Sequence, residues 1–323
     1  MKATLEQIAE KIKSAKTINV FGHIKTDCDC VSSLLAFKLM CESFGKKVFA
    51  YVDSEIGSTL KHLPQVDQIN KYPLKRADLA VSLDTATSDR LGEYRHEVLL
   101  HNNSIRIDHH GNTEPYTKFE YVDSSLPATC LILKKLQKYL GVPNSRDLNF
   151  LLLSGTLTDS GCFKYNSTNS ETLELASKMI KNAEFDYASV VIPLFNTLPK
   201  RKRLLQGRAI NNMQFFSNDQ IALIFLSNAD LKEFGATLAD TGGMSFLAQE
   251  IDTVKINIIV SEGKPGEFSV SFNSKGNIDI SPCAREFGGG GHPGAAGCKL
   301  FGKKDEILPR LIKSAQKILG EQK

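Results

Sequence analysis

Eight residues of this 323-residue chain have the types and spacing to hold metal ions. His23, Asp27 and Asp29 form a His-x-x-x-Asp-x-Asp group that one loop can turn inward, and Asp84 follows the apolar run 79–83. Asp108, His109 and His110 follow Ile105-Arg106-Ile107 without a gap, and Asp159 comes just after the apolar run 148–157. Imidazole mixed with carboxylate favours Mn, Fe, Co or Zn over calcium, whose ligands are all oxygen. Five carboxylates gathered in one place cannot all ionise unless cations offset their repulsion. Eight donors exceed the needs of one ion but suit two ions about 3.5–4 Å apart that share a carboxylate. A water held there is deprotonated near neutral pH and attacks phosphorus in line, so the chemistry expected is binuclear hydrolysis of a phosphate ester. Taken singly, Asp29 reads as a helix cap and Asp159 as a turn residue. The joint reading rests on four motifs falling in register with predicted strand ends.

The elements that must position these residues follow from periodicity. Thr4-Leu5-Glu6-Gln7 has capping-box spacing and Leu5, Ile8 and Ile12 repeat at helical intervals, which predicts a first helix to about Ala15. Strands are expected at 17–21, 48–52, 79–83 and 104–107, with a polar loop over 22–29 and a helix from about Cys30 to Phe44 that Gly45 ends. Helices are further expected over 126–140, 148–157 and 171–181, the last capped by Ser170. The pattern is an α/β, doubly wound, mainly parallel sheet, in which ligands bind at the carboxyl ends of the strands. His23, Asp84 and Asp108 all fall there.

Length predicts two domains: residues 1–185 carrying the metal motifs, a connector over 186–203 with Pro193, Pro199 and the basic run 200–203, and a smaller α/β domain over 204–323. In the second domain, strands are expected at 220–226, 254–260 and 267–272, and helices at 204–216 and 305–319. No apolar run approaches the roughly 20 residues of a membrane span and the first 16 residues lack a signal-peptide core, so a cytoplasmic protein is expected, with no membrane partner. Seven scattered cysteines without a Cys-x-x-Cys pair argue against a disulfide framework and a thiolate zinc site. A net charge of +4 is too small for a duplex-coating surface, so duplex DNA is not expected, whereas a local groove for a short anion is compatible with it. Lys164 and Arg90 are basic candidates near the metal motifs, and Arg285 is another beside the glycine run 288–291.

The motifs Gly22-His23 to Ser33, Ser82-Leu83-Asp84 to Gly92, Ile107-Asp108-His109-His110 and Gly155-Thr156-Leu157-Thr158-Asp159 resemble the four motifs of the DHH phosphoesterases. The stretch Phe287 to Gly297, FGGGGHPGAAG, resembles the signature of the DHH-associated second domain. Within the family the chain is similar to the nanoRNase/pAp phosphatase branch. The resemblance implies Mn-dependent hydrolysis of short oligoribonucleotides to mononucleotides and of 3'-phosphoadenosine 5'-phosphate (pAp) to AMP. It implies two divalent cations, with Mn expected and Mg, Co or Fe compatible. His23, Asp27 and Asp84 would hold one, and Asp29, Asp84, His109 and Asp159 the other. His110 would contact the scissile phosphate, and Asp108 would orient its neighbours.

The same resemblance makes the glycine run a nucleotide clamp in which the backbone of Gly289, Gly290 and Gly291 approaches phosphate, His292 contacts it and Arg285 adds charge-assisted bonds. The active site would then lie in the interdomain cleft, which favours short single-stranded RNA or small nucleotides. A homodimer is a compatible assembly. Thr26, Cys28 and Ser32 depart from the first motif without touching a ligand position. Asn273 stands where relatives carry an arginine that grips substrate, and an amide supplies hydrogen bonds but no charge. Hydrolysis of cyclic or linear dinucleotides (cyclic di-AMP, pApA) would use the same metal site, and a non-catalytic nucleotide or metal sensor is the alternative of another class.

Overall fold

The computed structural model describes residues 1–111 and 113–320, with the backbone alone at Ser58. The chain divides into two compact units, Met1–Thr197 and Leu198–Lys323. The first contains α1 (Leu5–Ser14), β1 (Thr17–Phe21), α2 (Cys28–Glu42), β2 (Lys47–Tyr51), β3 (Leu79–Leu83), α3 (Arg95–Leu99), β4 (Ser104–Asp108), β5 (Phe119–Val122), α4 (Thr129–Leu140), α5 (Arg146–Asp159), α6 (Ser170–Lys181) and α7 (Ala188–Val191). Its five strands are all parallel, in the order β2-β1-β3-β4-β5. That order reverses between β1 and β3, and the carboxyl ends flanking such a reversal are where open α/β sheets hold ligands.

Alternation along the strands explains why both faces are covered. Ile18, Val20, Val81, Leu83, Ile105 and Ile107 enter the large core built with α1, α2, α4 and α5. Phe21, Tyr51 and Ala80 face the other way, onto Leu91 and Val98. The capping box at Thr4 is as expected, and Gly141, in the left-handed conformation, ends α4.

Several boundaries differ from expectation. The 22–29 loop is shorter, because the Asp27 carboxylate accepts the Cys30 N–H and caps α2, which starts at Cys28 and carries Asp29 in its first turn. Asn169, not Ser170, caps α6. Strand β5 went unforeseen because its four residues lack a clear alternation.

The second unit contains α8 (Lys200–Asn211), β6 (Met213–Phe216), β7 (Ile221–Leu226), α9 (Asn228–Glu233), α10 (Phe246–Gln249), β8 (Ile256–Lys264), β9 (Glu267–Ser274), α11 (Ser281–Glu286), β10 (Gly290–His292), β11 (Ala295–Phe301) and α12 (Lys304–Gly320). Its six-stranded sheet has the order β10-β11-β9-β8-β7-β6 and is antiparallel except between β7 and β8. The helix expected over 204–216 begins four residues earlier and gives way to β6, so the basic run 200–203 is a first helical turn. The glycine run is partly strand, since Gly290–His292 pairs with Ala295–Gly297. A Cβ at Gly289 or Gly291 would meet the β11 backbone at 2.1 and 2.5 Å, so these two glycines let β10 lie against its neighbour. Among the described residues no helix is long and apolar enough to cross a membrane.

Candidate metal centre

Four segments of the first unit deliver donors to one place. β1 ends at Phe21, and two residues later His23 turns its Nε2 to 3.4 Å from Asp27 Oδ2 and 3.6 Å from Asp84 Oδ2. Asp84 follows β3 in a left-handed conformation, φ +54, that a non-glycine residue adopts only where surrounding structure enforces it. That turn faces its other oxygen, Oδ1, to His109 Nε2 at 3.4 Å and to His110 Nδ1 at 3.8 Å. Asp84 Oδ1 also accepts from the Thr129 hydroxyl at 3.0 Å. Asp159, the last residue of α5, lies 3.5 Å from His109 Nε2. Asp29 is fully buried and accepts the Thr129 and Cys130 N–H groups at 2.6 and 3.1 Å, so the N-terminus of α4 holds it.

Asp108, the last residue of β4, does different work. Its Oδ1 accepts from the His110 backbone at 3.1 Å and lies 2.8 Å from His110 Nδ1, while its Oδ2 pairs with Arg106, whose Nε is 3.1 Å away. Arg106 is completely buried, beside Glu120 and under the Tyr116 ring, and also donates to Thr113. The result is a fixed chain, Arg106 to Asp108 to His110, that leaves Nε2 as the unengaged nitrogen of a part-exposed imidazole.

The donor set fits divalent cations. His109 Nε2 is buried without a hydrogen-bond partner although two carboxylates stand 3.4 and 3.5 Å away. These spacings are long for hydrogen bonds, but two ligands about 2.1 Å from one ion at roughly tetrahedral angles stand about 3.4 Å apart. Asp29, His109 and Asp159 form one buried to half-buried group able to hold an ion; His23, Cys30 and Asp84 form a second, and Asp84 with Asp108, His109 and His110 a third.

Electrostatics point the same way. Burial and repulsion from Asp84 push Asp29 up to about 7, while burial and repulsion from Asp29 and Asp84 push Asp159 up to about 9. Burial alone would depress His109, yet Asp84, Asp29 and Asp159 raise it to about 9. His23 rises likewise, because bonds to Asp27 and Asp84 outweigh its burial. Asp108 goes the other way: burial opposes ionisation, but His110 and Arg106 hold it at about 2. With no cation, protons do the neutralising that a metal would do.

All six expected ligands, with Asp108 and His110, are therefore brought together. Arg90 joins them, its guanidinium 2.9 Å from His23 Nδ1, a nitrogen also 2.8 Å from the Ile24 carbonyl. Lys164 lies exposed in the turn beyond α5. In the second unit, register sets His292, Ala295, Asn273 and Asn257 in one row across four strands. Asn273 donates to Ser271 at 3.2 Å, and Arg285 on α11 donates to Ser281 at 2.7 Å.

Sequence reasoning missed Arg106 and Thr129. Arg106 carried a signal, a charge amid the apolar run 105–107, whereas Thr129 becomes visible only once α4 is docked on α2.

Comparison with known proteins agrees with the motifs. Residues 17–156 match the model of the DHH family, N-terminal domain, and residues 218–321 match the DHHA1 domain. The chain is 31% identical over 294 residues to a Streptococcus mutans serotype c protein named probable bifunctional oligoribonuclease and PAP phosphatase NrnA, covering 91% of this chain and 93% of that one. A Thermus thermophilus protein named bifunctional oligoribonuclease and PAP phosphatase NrnA is 26% identical over 321 residues, covering 97% and 93%. Among solved structures, an exopolyphosphatase-related protein from Bacteroides fragilis has the same fold, with a TM-score of 0.87 at 23% identity and coverage of 98% and 95%. With both domain models in order and the 31% match spanning nearly its full length, the chain belongs to the DHH phosphoesterase family.

Proposed function

We propose that the protein hydrolyses short oligoribonucleotides to mononucleotides and pAp to AMP, at a centre of two divalent cations for which Mn is the expected metal. The observation that carries this reading is Asp84, whose strained backbone turns one carboxylate oxygen to His23 and the other to His109. His23, Asp27 and Asp84 would hold one cation, and Asp29, Asp84, His109 and Asp159 the other. Such a pair supplies a nucleophile from water near neutral pH and offsets charge on the phosphoryl oxygens.

The remaining work falls to the chain. Asp108 fixes the His110 ring through Nδ1, so Nε2 can face a non-bridging phosphate oxygen without reorganising during reaction. The bond from α4 to Asp29 and that from Thr129 to Asp84 keep two carboxylates from collapsing onto neighbouring imidazoles. In the second unit, His292, the backbone of Gly289 to Gly291, Arg285 and Asn273 would contact nucleotide; in the first, Arg90 and Lys164 would add positive charge. The substrate class follows the names of the relatives described above. Asn273 implies weaker charge-based grip there than an arginine would give.

The test is a turnover panel with Mn: RNA of two to five nucleotides, pAp, cyclic di-AMP, linear pApA and pyrophosphate. The highest kcat/KM is expected for the short RNA and pAp. A preference for cyclic di-AMP or pApA would redirect the reading to dinucleotide hydrolysis, and absence of phosphate or mononucleotide release from every compound would make the protein a sensor.

A further inference from the structure

We propose that Cys30 is an additional donor to the cation held by His23, Asp27 and Asp84, so that this half of the centre prefers a thiophilic divalent metal, zinc, iron or cobalt, over Mn or Mg. The proposal rests on the two-cation reading above. Cys30 sits in the first turn of α2 and its N–H is fixed by the Asp27 carboxylate at 3.0 Å. Its sulfur, a ring nitrogen of His23 and a carboxylate oxygen of Asp84 all lie within 4.8 Å of one another, and all three residues are buried. Ligands of one ion, at about 2.3 Å for sulfur and about 2.1 Å for nitrogen or oxygen, stand roughly 3.4–4.4 Å apart, so small side-chain rotations close the set.

Room for the sulfur is provided by Gly22, where an added Cβ would come within 2.5 Å of Cys30 Sγ. Of the other thiols, Cys28, Cys41 and Cys130 line the large core as Cys30 does, and Cys283 and Cys298 line the core of the second unit. Among the described residues Cys30 alone shares a metal-compatible group with histidine and carboxylate. Coordination takes the thiolate, the proton leaving to solvent, and a soft ligand within an N, O, S set selects zinc, iron or cobalt, whereas Mn and Mg favour oxygen-rich octahedra.

Cobalt(II) loaded into the full-length protein tests this by absorption, without reference to turnover. The wild type and Cys41→Ala should show a near-ultraviolet sulfur-to-cobalt charge-transfer band beside the visible cobalt bands. Cys30→Ser and Cys30→Ala should lose the near-ultraviolet band and keep the visible ones, and their affinity ratio for zinc over Mn should fall by about 10–100-fold. Visible bands without the near-ultraviolet band in the wild type, or a band unchanged in both Cys30 variants, would overturn the proposal and leave the two-cation reading standing. No cobalt bands of either kind in the wild type would remove the two-cation reading itself, and this proposal with it.

Discussion

At the scale of the residue, Asp84 and Asp108 divide the labour of the centre. Asp84 faces His23 through one oxygen and His109 and His110 through the other, so Asp84→Asn removes the charge that two cations would share. The expected loss in kcat is at least about 10²-fold, checked by single-turnover kinetics at saturating metal. Near-normal turnover would mean that no shared carboxylate is needed. Asp108 depends on Arg106, and both are fully buried. Arg106→Met leaves the Asp108 carboxylate facing no guanidinium, and breaking such a pair from one side costs about 3–5 kcal/mol, measurable by denaturant unfolding. A change under about 1 kcal/mol would show that Asp108 relies on His110 alone. In the second unit, His292→Ala is expected to raise KM for nucleotides and leave kcat and metal content nearly unchanged; a fall in bound metal would assign His292 to the centre instead.

At the scale of the element, precision comes from close approach between α2 and α5. Gly155 allows it, because a Cβ there would meet Asp29 Oδ1 at 2.4 Å and Cys130 Sγ at 2.5 Å. Gly155→Ala must push α5 away from α2 or displace Asp29, with an expected cost of about 1–3 kcal/mol and a loss of metal uptake, read by thermal unfolding with and without added cation. An unchanged response to cation would show that Asp29 tolerates the shift. This is also where reading the sequence ran out. The strands carrying His23, Asp84 and Asp108 were legible from apolar runs that end in polar residues, as was the helix leading to Asp159. That Asp29 rides on a helix was not, because Asp27 falls in a polar stretch and its role as helix cap depends on φ and ψ. The glycine run suggests phosphate contact from sequence, and its second reason, the seating of β10 on β11, requires the register of a neighbouring strand.

At the scale of the whole molecule, the centre makes folding depend on pH and metal together. Asp29 and Asp159 ionise in the unfolded chain near 3.8 but, with no cation, only at about 7 and about 9 when folded. The folded state therefore binds more protons, and stability is lost as pH rises from about 4 towards 9. His109, raised from 6.5 to about 9, acts in the same sense, since the stability from its ion pairs is present below 6.5 and gone above 9. The metal-free protein should thus show a Tm that falls over this range, and a divalent cation should raise Tm most at the upper end, by scanning calorimetry. A flat profile would mean that the carboxylates are hydrated or spaced more widely than the geometry indicates. Asp108 contributes oppositely and elsewhere, its stabilisation being present above about 4 and lost as pH falls through about 2. The α/β class was legible from the run of elements. The mixed strand order of the second sheet was not, because register between distant strands leaves no local pattern.

The central claim is that one carboxylate, Asp84, is shared by two cations. Equilibrium dialysis with Mn followed by elemental analysis tests it directly. The wild type is expected to bind about two ions per chain and Asp84→Asn to lose both together, since each donor set includes that residue. A single ion in the wild type, or two retained in the variant, would contradict it.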